Sequence, residues 1–516
     1  MPAARPAAKL RAVKSHCLAA ACLFLALAGR ALAAGAATIE ELQGRINAFV
    51  NHEKFTGALW SIEVVSLDTG RTLYQHQARR RMSPASNSKL YAGALALDIL
   101  GGAYRIRTPL LGTGPVDSAG VLAGDLVIAG RGAPDWNPRD AKKDFWTAFE
   151  PFVAELKRAG VKHIRGDIVA DATWLRGPPH GASWTVDDMA DYYGAEISAV
   201  TLEENYVDLR VTPGAKPGDP VKVDVLQPLS GLEFRNELTT VSAADHQKLG
   251  ERRGLRVLRL PGETLVRLQG AVAAGGKVIE GEATVPRPAQ WFAVALREAL
   301  LKAGITVDGK ARSLRWPEAP ALATVEIGAI VSAPLRDLVR GFMVPSQNLE
   351  TDLIFAHTGE MRRPPGTPEW VRSDELAVDL LDAFTEKLGI PRDEVIFDEG
   401  SGLSRNNLTT AAATVALLKH MATHREAEAF LASLPVAGVD GTLAKRMKGT
   451  AAEKNVRAKT GGLRWAATLS GHVTTAAGER LVFSLMLNRH RGTTERPARA
   501  EIDEIAVMLA EFAGKS

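Results

Sequence analysis

Three short polar motifs hold the residue types that serine acyl-transfer chemistry requires. Ser86 and Lys89 form a Ser-x-x-Lys motif at the start of an apolar run. A spacing of three places both side chains on one face of a helix, so an amine can take the proton of a hydroxyl. Ser346 and Asn348 form Ser-x-Asn, and residues 459–461 read Lys-Thr-Gly. Ser-x-x-Lys alone is weak evidence, but the three motifs in this order indicate nucleophilic serine chemistry.

The first two motifs supply a base and a proton relay. Lys89 is a base only when neutral, and we expect burial and the positive Lys459 to favour the neutral amine. Ser346 can pass the proton on to a leaving amine, and Asn348 can orient both Lys89 and a substrate amide. Chance placement of the triplets on the surface is disfavoured by their order, by their helix and strand contexts and by a secretory signal.

The third motif supplies substrate contacts. Lys459 and Thr460 suit a free carboxylate, through a positive charge and a hydroxyl. Gly461 completes the motif, and Gly462 follows it at the end of a predicted strand. We expect the backbone N–H groups of Ser86 and Gly462 to hold a developing oxyanion.

The first 33 residues read as a secretory signal. A basic segment without acids precedes an apolar stretch at residues 17–28, and Ala-Leu-Ala at 31–33 is a cleavage signal. The apolar run is short for a membrane span, which disfavours an uncleaved anchor. Cys22 lies on the wrong side of the apolar core for a lipoprotein. The prediction is a periplasmic protein whose mature chain has neither cysteine nor a transmembrane segment.

Removal of the signal changes the charge balance. Lys plus Arg falls from 63 to 58, against 59 Asp plus Glu, because five basic residues are lost: Arg5, Lys9, Arg11, Lys14 and Arg30. A mature chain with a net charge of −1 gives no indication of nucleic-acid or anionic-membrane binding.

The periodicity of apolar residues divides the mature chain into three parts. Helix and strand signals occupy residues 34–105, Gly- and Pro-punctuated strands prevail over residues 106–285, and helical periodicity returns over residues 286–516. Two domains in tandem would leave the first 70 mature residues without enough partners for a core. The sequence therefore predicts one α+β domain that is interrupted by a large β-rich insertion.

With these motifs the chain resembles the penicillin-binding D-alanyl-D-alanine carboxypeptidase/endopeptidases, the class C low-molecular-mass penicillin-binding proteins. Further marks are Pro84-Ala85 before Ser86 and Gly-Ser-Gly-Leu-Ser-Arg at residues 400–405. The resemblance implies a transpeptidase/β-lactamase-like domain, an antiparallel sheet flanked by helices, with two smaller inserted domains. It implies cleavage of D-Ala-D-Ala bonds of peptidoglycan stem peptides, or of D-Ala cross-links, through an acyl-serine. Covalent inhibition by β-lactam antibiotics and the absence of metal or organic cofactors are also implied.

The resemblance also points to an acid in the insertion. By its position in residues 184–189, Asp188 is similar to a family acid that contacts the amino end of the diaminopimelate side chain. Asp187 is adjacent to it, and a solvated loop acid is the alternative.

Two other functions fit the same motifs. A β-lactamase or an esterase of the same fold would differ in deacylation, for which no residue can be assigned from the sequence. A wall-binding protein with a vestigial site is the third hypothesis, and the intact Ser86, Lys89, Ser346, Asn348 and Lys459 argue against it.

Overall fold

The computed structural model describes residues 35–139, 141–250, 254–323 and 325–516. The predicted secretory signal, residues 1–33, lies outside them. Eleven α-helices are present in the described part, in chain order: α1 Ile39–Val50, α2 Ser88–Leu100, α3 Glu150–Arg158, α4 Ala243–Lys248, α5 Pro288–Lys302, α6 Leu335–Met343, α7 Asn348–Met361, α8 Ser373–Lys387, α9 Ala411–Met421, α10 Ala427–Ser433 and α11 Ala498–Glu511. None of these described helices is long and apolar enough to span a bilayer.

The strands of the same residues are β1 Leu59–Ser66, β2 Thr72–His76, β3 Arg107–Gly112, β4 Val121–Leu122, β5 Leu126–Ala129, β6 His163–Ile164, β7 Ile168–Ala172, β8 Tyr206–Thr212, β9 Lys222–Val225, β10 Glu233–Val241, β11 Gly254–Arg259, β12 Leu265–Ala273, β13 Ile279–Thr284, β14 Thr306–Val307, β15 Ala311–Arg315, β16 Val325–Val331, β17 Val395–Ile396, β18 Leu408–Thr409, β19 Arg457–Leu463, β20 Ala466–Thr474 and β21 Arg480–Asn488.

A five-stranded antiparallel sheet in the order β19-β20-β21-β1-β2 joins the two ends of the chain. Helices cover both faces: α1 and α11 pack on one side and α9 on the other. Strand β21 is therefore buried at nearly every position, which explains its continuous apolar sequence. The predicted antiparallel sheet with flanking helices is confirmed.

Local sequence signals set the first elements of this domain. The Thr38 hydroxyl accepts a hydrogen bond from the Glu41 N–H at 3.2 Å, and the Glu41 carboxylate accepts one from the Ala37 N–H, so two side chains cap the start of α1. Strands β1 and β2 form a hairpin around Asp68-Thr69-Gly70, whose residue types favour a turn.

The segment from β3 to β16 forms separate sheets. A mixed five-stranded sheet has the order β15-β7-β5-β3-β16, and two three-stranded sheets contain β8–β13. The chain thus contains two nested insertions, since the strands of the mixed sheet come both before and after β8–β13. The insertion, expected to end at residue 285, extends further along the chain. Strands β14–β16 still belong to it, because they pair with β6, β7 and β3. By strand pairing, the inserted segment ends at β16.

Candidate active site

The first motif lies in a short turn that leads into α2. Residues Ala85–Asn87 form a 3-10 turn, so the α-helix begins two residues later than Ser86. Ser86 is half-buried, whereas Lys89 is completely buried one turn further on. The Lys89 Nζ lies 3.1 Å from the Ser86 Oγ. The hydroxyl and the amine are thus in hydrogen-bond contact, as the spacing predicted.

Two close backbone approaches fix this turn. Ala85 has a φ of +47°, a left-handed conformation that costs roughly 1–2 kcal/mol for a residue with a side chain. A Cβ on Gly402 would lie 1.9 Å from the Ala85 carbonyl oxygen, and one on Gly461 would lie 2.6 Å from the Pro84 carbonyl oxygen. Only glycine fits at these two positions, which press the turn between a loop and an edge strand.

The Lys89 amine has two further acceptors. Its Nζ donates to Asn348 Oδ1 at 2.6 Å and to the Ser401 carbonyl at 2.7 Å. Burial lowers the pKa of Lys89 to about 8, against the opposing effect of negative charge on nearby carboxyl groups. Lys89 and Lys459 are close enough for their charged forms to repel each other, and this repulsion contributes to the lowered pKa of Lys459.

The second motif lies between α6 and α7. Ser346 has a φ of +71°, and Asn348 is the first residue of α7. The Ser346 Oγ accepts a hydrogen bond from Lys459 Nζ at 2.7 Å. The Asn348 amide accepts from Lys89 through Oδ1 and donates to the Tyr193 carbonyl at 2.9 Å through Nδ2. Its orientation is therefore fixed from both sides.

The third motif lies on β19, an edge strand of the central sheet. Lys459 is completely buried, and burial, Lys89 and Arg446 together hold its pKa well below the usual value. The Thr460 hydroxyl donates to the Thr442 hydroxyl at 2.8 Å. Two hydroxyls therefore lie side by side next to a buried amine, at the end of the cleft where the sequence predicts carboxylate binding.

An open cleft of about 840 Å³ connects these motifs. Lys89 and Lys459 are buried beneath it, and Gly461 packs against the nucleophile turn. The other predicted site residues line it: Ser86, Asp188, Ser346, Asn348, Thr460 and Gly462. The structure thus brings all nine predicted residues together, although Lys89 and Asn348 are 259 positions apart in the chain.

The inserted segment forms one wall of this cleft. Together with the three motifs, the cleft is lined by Asp187, Asp188, Tyr192 and Tyr193 of this segment. Asp188 is buried and forms an ion pair with Arg405 at 3.2 Å, while it also accepts hydrogen bonds from Thr185. A carboxylate and a guanidinium therefore form an ion pair in this part of the cleft, where the sequence predicted only the acidic residue.

Four groups that contact the site residues lie outside the set predicted from the sequence. They are the Ser401 carbonyl, the Thr442 hydroxyl, the Tyr193 carbonyl and the Arg405 guanidinium. Two are backbone atoms, which have no residue-type signal. The Gly-Ser-Gly-Leu-Ser-Arg sequence that contains Ser401 and Arg405 was the available signal for two of them.

Two other segments resemble the second and third motifs, Ser404-Arg405-Asn406 and His357-Thr358-Gly359, and their side chains have structural contacts. In the second Ser-x-Asn, Ser404 and Asn406 both donate to Asp398. His357 lies on α7, and its ring contacts the Tyr104 hydroxyl and the Arg131 carbonyl. No group of three or more His, Cys, Asp or Glu side chains suited to a metal ion occurs among the described residues.

Comparison with known proteins identifies the family of this chain. A family model described as D-Ala-D-Ala carboxypeptidase 3 (S13) matches residues 42–510. The D-alanyl-D-alanine carboxypeptidase of Actinomadura sp. (strain R39) is 33% identical over 497 residues, 93% of this chain and 86% of that protein. DacB of Haemophilus influenzae is 26% identical over 411 residues, 79% of this chain and 80% of that protein. The crystal structure of penicillin binding protein 4 from Haemophilus influenzae has a TM-score of 0.75 at 24% identity, covering 89% of this chain and 97% of that one.

The fold is that of a penicillin-binding protein, a transpeptidase-like domain with a large insertion, and its cleft holds a paired serine and lysine. The chain belongs to the D-Ala-D-Ala carboxypeptidase 3 (S13) family. It is accordingly a peptidase and a hydrolase.

Proposed function

We propose that the protein is a serine DD-peptidase of peptidoglycan that forms an acyl-enzyme on Ser86. It removes the terminal D-Ala from stem peptides, cleaves D-Ala cross-links, and is acylated by penicillins. The observation that carries the proposal is the 3.1 Å contact of Lys89 Nζ with Ser86 Oγ in a cleft that also contains the Lys459–Ser346 pair.

In the acylation step the Ser86 oxygen attacks the carbonyl carbon of the penultimate D-Ala, and its proton moves to the neutral Lys89 amine. The backbone N–H groups of Ser86 and Gly462 stabilise the resulting oxyanion. The C–N bond then breaks, and Ser346 relays a proton from Lys89 to the leaving amine. Water later hydrolyses the ester and restores the Ser86 hydroxyl.

The leaving D-Ala carries a free carboxylate, which Lys459, Thr460 and Thr442 are arranged to bind. An entering carboxylate stabilises the charged form of the buried Lys459 amine, because it supplies the missing counter-charge. The two hydroxyls, 2.8 Å apart, can donate to the two carboxylate oxygens.

The far end of the stem peptide contacts the inserted segment. The diaminopimelate side chain ends in an amine and a carboxylate, and the Asp188–Arg405 pair offers one group of each opposite charge. Asp188 binds the amine in this proposal, and Arg405 binds the carboxylate. The secretory signal predicted at residues 1–33 would place the protein in the periplasm, where peptidoglycan is found.

The test is digestion of purified muropeptides, uncross-linked and cross-linked, by the wild type, by Ser86→Ala and by the control Ser118→Ala. Ser118 is exposed in the inserted segment and remote from the cleft. The wild type and the control should release D-Ala or cleave cross-links and should bind fluorescent penicillin covalently. Ser86→Ala should lose both properties, and retained penicillin labelling of that variant would refute the proposal.

The same experiment separates the other functions. Rapid turnover of penicillin without action on muropeptides would identify a β-lactamase, and hydrolysis of simple esters alone would identify an esterase. Retention of muropeptides without any product would identify a wall-binding protein.

A further inference from the structure

A buried turn at residues 400–402 orients the proposed base. The Ser401 carbonyl and Asn348 Oδ1 each accept a hydrogen bond from Lys89 Nζ, at 2.7 and 2.6 Å. A neutral amine has two N–H donors and one lone pair. With both donors used in this way, the lone pair points to the remaining contact, the Ser86 hydroxyl at 3.1 Å. The position of the Ser401 carbonyl therefore decides whether Lys89 can accept the proton.

Two carboxyl groups hold this turn, and their surroundings differ. Glu399 accepts hydrogen bonds from the Ser401 N–H and hydroxyl, from the Gly402 N–H at 2.8 Å and from Asn407 Nδ2 at 2.9 Å. Asp352 accepts only through Oδ1, from the N–H groups of Gly400 and Ser401. Its buried Oδ2 has no donor within reach among the described residues, and its neighbour is the Glu399 carboxyl.

We propose that Asp352 carries a proton that Oδ2 donates to an ionised Glu399, and that this singly charged pair is a positioning device for Lys89. Donors surround Glu399 and stabilise its charge. Two ionised carboxylates in contact inside the protein would repel each other. Burial and Glu399 raise the pKa of Asp352 well above its usual value, in agreement with this arrangement.

The charge of the pair matters because other buried charges face Lys89. Asp352 on α7 and Glu399 in the loop before the turn are the acidic groups close enough to affect the charge of Lys89, and Lys459 on β19, itself influenced by Arg446, is the nearby basic group. A doubly charged pair would hold Lys89 in its charged form, in which it is no base. A singly charged pair anchors the Ser401 carbonyl and still allows the amine to become neutral. This inference rests on the proposed role of Lys89 in the acylation of Ser86.

The two acids should therefore respond differently to neutral replacements. In Asp352→Asn, the amide keeps the Oδ1 acceptor and donates to Glu399, as the protonated acid does. We expect its penicillin acylation rate to stay within about threefold of wild type, and the midpoint of its rise with pH to stay within about 0.3 unit. Glu399→Gln has one acceptor in place of two and leaves buried N–H groups unpaired. Its rate should fall about tenfold or more.

The opposite results would overturn the inference. A midpoint in Asp352→Asn that falls by about half a unit or more would show that Asp352 was ionised and was raising the pKa of Lys89. A wild-type rate in Glu399→Gln would show that Glu399 does not hold the turn. Thermal unfolding of each variant should be measured alongside, because both residues are buried.

An infrared measurement on the wild-type protein does not depend on any variant or substrate. With aspartate labelled by ¹³C at the carboxyl group, the spectrum at neutral pH should contain the carbonyl band of a protonated carboxylic acid. Absence of that band would overturn the inference even if the variants do not fold. If the wild type neither acts on muropeptides nor binds penicillin, the proposed function fails, while the band still reports on the pair.

Discussion

Lys89 should make the acylation rate of Ser86 depend on pH in a way that the structure quantifies. Burial lowers its pKa to about 8, and only the neutral amine can take the Ser86 proton. The rate should therefore rise with pH through this value and level off above it. With a pKa near 8, roughly a tenth of the molecules have a neutral Lys89 at pH 7 and roughly nine-tenths at pH 9. The expected increase is therefore about tenfold.

The assay is the second-order rate of acylation by a fluorescent penicillin between about pH 6 and pH 10, with short reaction times so that the reagent stays intact. Circular dichroism at each pH would establish that the protein remains folded. The D-Ala-D-Ala peptide provides a second substrate, because its kcat/KM should rise with the same midpoint.

Two variants test the assignment of this midpoint to Lys89. Lys89→Arg keeps a positive charge but cannot lose its proton in this range, so acylation should disappear at every pH. Lys216→Arg, at an exposed lysine in the insertion, should leave the profile unchanged. A flat profile, a rate that falls above neutrality, or acylation of Lys89→Arg would refute the reasoning.

Two further predictions concern the ends of the cleft. Thr442→Val should raise KM for a D-Ala-terminated peptide about tenfold or more, because a hydrogen bond to a charged group is worth roughly 1.5–3 kcal/mol. Thr442→Ser keeps the hydroxyl and should stay near wild type. Equal effects of the two variants would contradict carboxylate binding by Thr442. Asp188→Asn should raise KM about tenfold for stem peptides with a free side-chain amine and change KM little for their acetylated analogues. The control Asp187→Asn should have little effect on either KM. A larger effect at Asp187 would show that Asp187, and not Asp188, binds the amine.

Elements with a strong local pattern were predictable from the sequence. Apolar periodicity over residues 289–303 and 374–387 predicts two helices, which are observed at Pro288–Lys302 and Ser373–Lys387. Their apolar spacing and flanking residues indicate where they begin and end.

The end of the insertion was not predictable in this way. Helix α5 has the periodicity expected of the main domain, yet it packs on β7 and β15 of the inserted sheet. Strand β16 closes that sheet against β3, and the contact between Arg107 and Glu326 joins positions 219 apart in the chain. Strand periodicity indicates which face of a strand is buried but does not identify its partner.

For the site, the sequence predicted side chains but not the groups that orient them. Ser-x-x-Lys identifies Lys89 as a base, whereas the Ser401 carbonyl that directs its lone pair can belong to any residue type. Thr442 lies in a Gly-Thr-Leu turn without any motif, and only the tertiary fold places its hydroxyl next to Thr460.

The insertion also contacts the second motif through a turn at residues 203–205, whose backbone conformation is unfavourable. Glu203, Glu204 and Asn205 have φ values of +50°, +51° and +59°, and each left-handed residue of this kind costs roughly 1–2 kcal/mol. The turn is held by buried hydrogen bonds, such as those that Asn205 Oδ1 accepts from Thr201 and from the Leu202 N–H. Such strain persists only where the surroundings fix it.

This turn places the carboxyl group of Glu204 next to the second motif. Its carboxyl group accepts hydrogen bonds from Asn137 and from the side chain of Gln347, the residue between Ser346 and Asn348. Ser346 is itself left-handed, so the strained turn of the insertion and the strained turn of the motif are joined by a buried contact. The insertion therefore does more than form the far wall of the cleft. It helps to set the conformation of the residues that contact Lys89 and Lys459, so that substrate contacts on the insertion and acylation at Ser86 depend on one connected structure.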